Sequence, residues 1–174
     1  MQSMKIALLP LLILCASTAL FAQKNSEHDS TRTVMIFGNS LTAGYGLDPA
    51  LAFPALLQQK VDSLGWPVEI VAAGLSGETS AGGLRRIGWM LRRKIDVFVL
   101  ELGANDGLRG IALDDTEKNL QAIIDTTRKA YPEVKIVLAG MQVPPNLGPE
   151  YTQRFQKMYR ALADKNEAAL MPFL

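Results

Sequence analysis

An α/β fold, with a parallel sheet sandwiched between helices, is what this sequence predicts, and three observations carry the prediction. Short apolar, β-branched runs alternate with segments of helical periodicity, and parallel neighbours require such crossover connections. The run at residues 96–102 is apolar apart from its ends, as a strand covered on both faces must be. A chain of 174 residues, 48% of them hydrophobic, has room for one globular domain with a substantial core, and hardly for two.

The elements follow in order. The first strand is residues 34–37, which stop at Gly38 and present Ser40 from the carboxyl end. Phe53, Leu56, Leu57, Val61 and Leu64 then recur at helical spacing, with Pro54 suited to a first turn and Gly65 to a C-terminal stop. Residues 68–73 form the second strand, which empties into Gly74-Leu75-Ser76-Gly77-Glu78-Thr79-Ser80, a loop of glycine and small hydroxyl residues. Thr79 or Ser80 caps a second helix to about residue 94, with Leu84, Ile87, Trp89 or Met90, and Leu91 on its buried side. Its Arg85, Arg86, Arg92, Arg93 and Lys94 read as a solvated face with cations near the helix C-terminus. The third strand ends in Gly103-Ala104-Asn105-Asp106-Gly107. Asp114 and Glu117 stand as a capping box before a third helix marked by Leu120, Ile123, Ile124 and Tyr131, and Pro132 ends it. A fourth strand at 134–139, a proline-rich loop at 142–149, a helix outlined by Tyr151, Phe155, Met158 and Leu162, and the start of a fifth strand at 170–174 follow.

Residues 1–22 have the order of a secretory signal: Lys5, an apolar stretch at 6–14, then small residues and a cleavage point after Ala22. The apolar part is too short and badly flanked for a good membrane span, so a secreted or periplasmic protein without a stable membrane anchor is expected. An uncleaved anchor is the alternative, and a lipoprotein signal at Cys15 is disfavoured by the bulk of Leu14 before it. Cleavage removes the only cysteine, and with it disulfides, a cysteine nucleophile and thiolate metal sites. It also removes Lys5 alone among charged residues, leaving 17 basic against 17 acidic side chains and no electrostatic reason to expect nucleic acid as a partner. Residues 23–33 read as a polar, disordered lead-in, and residues 34–174 as the domain.

Functional loops of parallel sheets gather at the carboxyl ends of the strands, so the loops bearing Ser40, Gly77 and Asn105 are expected to share one edge. If Ser40 attacks an acyl carbonyl, the carbonyl oxygen gains negative charge. The backbone N–H groups of Ser40 and Gly77 and the side-chain amide of Asn105 are suited to receive it, each donor contributing about 3 kcal/mol. Taken singly, Gly77 reads as a tight turn and Asn105 or Asp106 as loop-capping groups. Three such loops after three successive strands favour a catalytic edge.

Gly38-Asn39-Ser40-Leu41-Thr42-Ala43-Gly44-Tyr45-Gly46, Gly74 to Ser80 and Gly103 to Gly107 resemble the first three signature blocks of the SGNH, or GDSL-type, hydrolases. Leu108-Arg109-Gly110 and the stretch 141–151 resemble the secreted arylesterase, acyl-CoA thioesterase and lysophospholipase branch. The resemblance implies a three-layer, flavodoxin-like α/β/α sandwich with about five strands, the last strand and helix incomplete. It implies hydrolysis of small carboxylic esters or thioesters through an acyl-serine intermediate, with no metal or cofactor. Ser40 would be the nucleophile, with Gly77 and Asn105 completing the oxyanion site. Asp106, Leu108 and Pro144 are the expected substrate-binding residues.

Two departures stand out. Asn39 occupies the place of the family's usual aspartate, keeping its size and hydrogen-bonding reach without its charge. The family's general-base histidine and the aspartate three residues before it are absent; the sole histidine, His28, lies in the lead-in. A serine hydroxyl is a poor nucleophile without a base, so a C-terminally truncated esterase with little activity is expected. Among rivals, Ser76 in Gly74-Leu75-Ser76-Gly77 resembles a nucleophile elbow, but Glu78 stands where the second glycine of G-x-S-x-G belongs. A phosphate- or flavin-binding module would need a third glycine beyond Gly44 and Gly46. A carbohydrate deacetylase of the same superfamily remains the nearest enzymatic alternative.

Overall fold

The computed structural model describes residues 31–174, so the predicted signal segment, Cys15, His28 and most of the predicted lead-in lie outside the described residues. Strand β1 (Arg32–Gly38) starts two residues before the predicted domain boundary. Its polar first residues are held by their neighbours: Arg32 N–H donates to the Pro67 carbonyl at 2.8 Å, and Thr33 N–H to the Asp96 carboxylate at 2.8 Å. After it come α1 (Ser40–Ala43), a 3-10 turn (Pro49–Leu51), α2 (Phe53–Ser63), β2 (Val68–Gly74) and α3 (Ser80–Met90). The chain continues through β3 (Val97–Glu101), α4 (Ala104–Leu108), α5 (Leu113–Ala130), β4 (Lys135–Ala139), a second 3-10 turn (Pro145–Leu147), α6 (Pro149–Lys165) and β5 (Ala169–Met171).

All strand pairs are parallel, in the order β2-β1-β3-β4-β5. Because β1 to β2 steps one way and every later connection steps the other, right-handed crossovers put α2 on one face of the sheet and α3, α5 and α6 on the opposite face. The predicted sandwich is therefore the observed one. On the three-helix face Met35, Phe37, Phe98, Leu100, Ile136 and Leu138 are buried against Ile87 of α3, Leu120, Ile123 and Ile124 of α5, and Phe155, Met158 and Leu162 of α6. Each such side chain contributes about 1.5–3 kcal/mol by leaving water. The alternate strand residues Val34, Val97, Val99 and Val137 face the other way and are half-buried. At the free edge of β2, Gln58 of α2 donates to the Val68 carbonyl at 3.0 Å and accepts from Ile70 N–H at 2.7 Å, closing backbone groups that would otherwise invite another strand.

Several local expectations shift. Helix α2 forms where its periodicity placed it, but Leu56, Leu57 and Leu64 are 46%, 43% and 46% exposed, since the helix lies over the sheet's edge rather than its middle. Helix α3 is capped by Thr79, whose side chain accepts from Gly82 N–H, and ends at Met90. Arg92, Arg93 and Lys94 thus belong to the turn into β3, and Trp89 faces outward. The expected capping box does not form: Ala112 is the N-cap of α5, and Asp114 inside the first turn pairs with Arg154 of α6. The predicted loop after β3 contains the short helix α4. Strand β5 begins one residue early and ends at Met171, where Pro172 has no N–H to continue the ladder.

Candidate active site

The register sets Gly38 of β1 beside Gly74 of β2 and beside Glu101 of β3, so three adjacent strands end level. Strand order reverses at β1, the switch point where open α/β sheets bind ligands outside the carboxyl ends. The three motif loops leave from this line, as expected. Gly74 is required because a side chain there would run into the backbone of Thr42 and Ala43, which crosses the end of β2.

Ser40 is the first residue of α1 and is half-buried. Beneath it the carboxylate of Glu101, with no solvent exposure, gathers the start of the helix. Its Oε2 accepts from Asn39 N–H at 3.1 Å, Thr42 N–H at 3.2 Å and Thr42 Oγ1 at 2.7 Å, and its Oε1 accepts from Asn39 Nδ2 at 2.5 Å. Burial pushes the Glu101 carboxyl above its usual range, against the lowering effect of the bonds from Thr42 and Asn39. Asn39 in turn caps α1, accepting from Leu41 N–H at 2.9 Å through Oδ1, with Ser40 Oγ at 3.4 Å from the same oxygen. Ala43 N–H goes to the Asn39 carbonyl. Among the described residues, the N–H of Ser40 is left with no acceptor, which is the state an oxyanion donor requires.

The second loop is tied to the first and third. Leu75 N–H donates to the Gly38 carbonyl at 3.0 Å, and the Asn105 side-chain amide donates to the Glu78 carbonyl at 3.0 Å. That bond uses one of the two amide hydrogens and leaves the other without a partner among the described residues. Gly77 holds φ +76°, a left-handed conformation that side-chain-bearing residues adopt at a cost, and its N–H has no acceptor among the described residues. Its carbonyl accepts from Arg109 Nη2 at 2.9 Å. The next residue, Glu78, is 6% exposed and receives a forked contact from Arg86, whose Nε lies 3.0 and 3.2 Å from the two carboxylate oxygens. Arg86 also donates to the Ala73 carbonyl at 3.1 Å and stacks over the Phe37 ring at 4.2 Å. This pair fixes the loop that carries Gly77 to both β2 and the core.

Asp106 is corrected by the structure. Instead of reaching a substrate, its fully buried carboxylate accepts from Ser80 N–H at 2.8 Å and Ser80 Oγ at 2.5 Å, with Thr116 Oγ1 at 3.4 Å. It joins the third loop to the first turn of α3 and so sets Asn105 against Glu78. Leu108, 61% exposed, and Pro144, also exposed, lie after β3 and β4 on the same edge of the sheet. Ser76 is exposed in the second loop, away from the Glu101 anchor. Glu101 and Arg86 are the residues that sequence reasoning missed. A glutamate closing an apolar strand two residues before Gly103-Ala104-Asn105-Asp106 is the signal that would have found the first.

A parallel α/β/α sheet with a serine-bearing helix turn at its switch point, flanked by N–H donors unpaired among the described residues, is the arrangement expected of a hydrolase. Residues 36–174 match the GDSL-like Lipase/Acylhydrolase family, and the chain belongs to this family, the SGNH hydrolases. It is 39% identical over 149 residues to Esterase TesA of Pseudomonas aeruginosa, spanning 85% of this chain and 73% of that one. It is 38% identical over 142 residues to Thioesterase 1/protease 1/lysophospholipase L1 of Escherichia coli K12, spanning 81% of this chain and 66% of the relative. The crystal structure of AlinE4, an SGNH-hydrolase family esterase, superposes with a TM-score of 0.78 at 40% identity, covering 83% of this chain and 77% of that one. The fold, the family and the reaction class, carboxylic ester hydrolysis, are those the sequence predicts.

Proposed function

We propose that Ser40 is the nucleophile of a secreted or periplasmic esterase that cleaves small carboxylic esters and thioesters, with Ser40 N–H, Gly77 N–H and the Asn105 amide receiving the oxyanion. The observation that carries this reading is the pair of unpaired backbone donors, Ser40 and Gly77, on loops pinned together by Leu75 to Gly38 and Asn105 to Glu78. Preorganised donors cost no rearrangement when charge develops on the carbonyl oxygen. In the first half-reaction Ser40 Oγ bonds to the carbonyl carbon and gives up its proton. The tetrahedral oxyanion collapses, and the alcohol or thiol leaves with a proton. Water then repeats the sequence on the acyl-serine and releases the acid.

The proton from Ser40 needs a base, and residues 31–174 contain no histidine. Asn39 Oδ1, at 3.4 Å, orients the hydroxyl but has no basic lone pair to take its proton. Turnover by the 174-residue chain is therefore slow, and a diffusible base such as imidazole raises it. The test is hydrolysis of p-nitrophenyl acetate and of a short-chain acyl thioester with and without imidazole, each corrected for the rate without protein. Turnover that rises with imidazole and vanishes in Ser40→Ala supports the reading. Equal rates in both proteins refute it.

A further inference from the structure

Helix α4, which carries Asn105, is five residues long, and among the described residues no side chain caps its start. One short turn is marginal by itself, so its position is set from outside. The Asp106 carboxylate ties it to α3, and helix α6 supplies the rest. Tyr151, Phe155 and Tyr159 follow one another at four-residue spacing along α6, with ring centroids 6.3 and 5.4 Å apart and the second pair edge to face. Tyr159 Oη donates to the Leu102 carbonyl at 2.8 Å, and Tyr151 Oη donates to the Ile111 carbonyl at 2.9 Å. These carbonyls bracket α4, one just before its N-cap Gly103 and the other beyond its C-cap Arg109. Between them Phe155 packs under Gly107, where an added Cβ would stand 3.1 Å from the ring. Tyr159 is buried, and that burial, with the carboxylates of Asp106 and Glu101 nearby, pushes its phenol well above the usual range, so it stays a donor.

We propose that Tyr159 and Tyr151 are positioning residues for ester hydrolysis: they hold the two ends of the α4 segment and thereby set the Asn105 amide where the oxyanion forms. This rests on the reading of Asn105 as an oxyanion donor. Neither tyrosine touches the reacting atoms. The peptide plane between Leu102 and Gly103 is the one from which α4 starts, so a hydroxyl fixed on its carbonyl fixes the direction in which the turn presents Asn105. A misplacement of about 1 Å in such a group costs on the order of 100-fold in rate. The loss falls on the step in which charge develops rather than on binding. Tyr131 provides the matched comparison at the opposite end of the sheet, where its Oη lies 2.9 and 2.6 Å from the Leu91 and Arg93 carbonyls ahead of β3.

The test is the rate at which a fluorophosphonate, whose phosphonyl oxygen gains charge as a carbonyl oxygen does, labels Ser40 of the 174-residue protein in imidazole. Labelling is read by peptide mass and split into a maximal rate and a half-saturating concentration. Tyr159→Phe lowers the maximal rate about tenfold and Tyr151→Phe about threefold, each leaving the half-saturating concentration within about twofold, and Tyr131→Phe changes neither. In an Asn105→Ala background Tyr159→Phe costs nothing further, because the group it positions is gone, whereas general damage to the fold would persist there. If Tyr159→Phe does not fold, the same cycle run with Tyr151→Phe decides. Parent-like labelling of Tyr159→Phe, an equal loss in Tyr131→Phe, or a loss undiminished without Asn105 overturns the proposal. Asn105→Ala labelling at the parent's rate overturns the oxyanion reading of Asn105 itself, and the positioning role with it.

Discussion

Replacing Arg86 with methionine removes the clamp on the loop that carries Gly77. Methionine keeps much of the apolar stem over Phe37 but leaves the carboxylate of Glu78, 6% exposed, with no cation. Breaking a buried ion pair on one side costs about 3–5 kcal/mol, because a buried charge is left uncompensated. The lost stacking over Phe37 adds about 0.5–1 kcal/mol. The Arg86 side chain is itself 21% exposed, so water enters the gap and returns part of this. A net loss of about 3 kcal/mol follows. For a domain of this size that is a fall of roughly 6–12 °C in Tm. The assay is urea unfolding of Arg86→Met, Glu78→Gln and the double variant. Removing the second partner abolishes the stranded charge, so the double variant is more stable than Arg86→Met alone, and the coupling exceeds 1 kcal/mol by this cycle. A loss below about 1 kcal/mol in Arg86→Met, or losses that simply add, refutes the clamp.

Three further outcomes follow from the anchor and the loop. Glu101 holds its proton more tightly folded than unfolded, so its contribution to stability is full below about pH 4.5 and is lost as pH rises through its raised value. Glu101→Gln erases that slope; urea midpoints across pH 4–8 check it, and a wild-type advantage over the variant that grows with pH contradicts it. Asn39→Asp sets a second carboxylate against Glu101 where Asn39 Nδ2 now donates at 2.5 Å, so the two share one proton and stability falls more steeply with rising pH than in the parent. A matched pH slope in the two proteins counts against that contact. Gly77→Ala meets open space, with only Arg109 Nη2 at 3.7 Å, so its cost of about 1–2 kcal/mol is backbone strain alone. Thermal unfolding measures the cost, and a more stable variant argues against the left-handed turn.

Legibility in the sequence tracked locality. Gly38-Asn39-Ser40, Gly77 and Asn105 could be placed on one edge because each sits within four residues of a strand's end, and right-handed parallel connectivity does the rest. What holds those residues was far less visible. Glu101 meets Asn39 across 62 positions, and a glutamate ending an apolar run reads as the strand's polar terminus. Arg86 read as part of a solvated basic face, because nothing in helical periodicity distinguishes an arginine over Phe37 from its neighbour Arg85 in solvent. Asp106 looked like a substrate contact because it adjoins Asn105, whereas its carboxylate faces inward to Ser80. Leu56 and Leu57 show the same limit for packing: spacing gave the helix, but only the position of β2 at the sheet's edge explains their exposure.

The central claim, that Ser40 is the reacting group, is tested most directly by mapping a fluorophosphonate adduct on the 174-residue protein in the presence of imidazole. Trypsin separates the candidates: residues 33–60 contain Ser40 as their only serine, and residues 61–85 contain Ser76. The adduct is expected on the first peptide, at a rate raised by imidazole, and lost in Ser40→Ala. An adduct on the second peptide, or labelling that survives Ser40→Ala unchanged, contradicts the account.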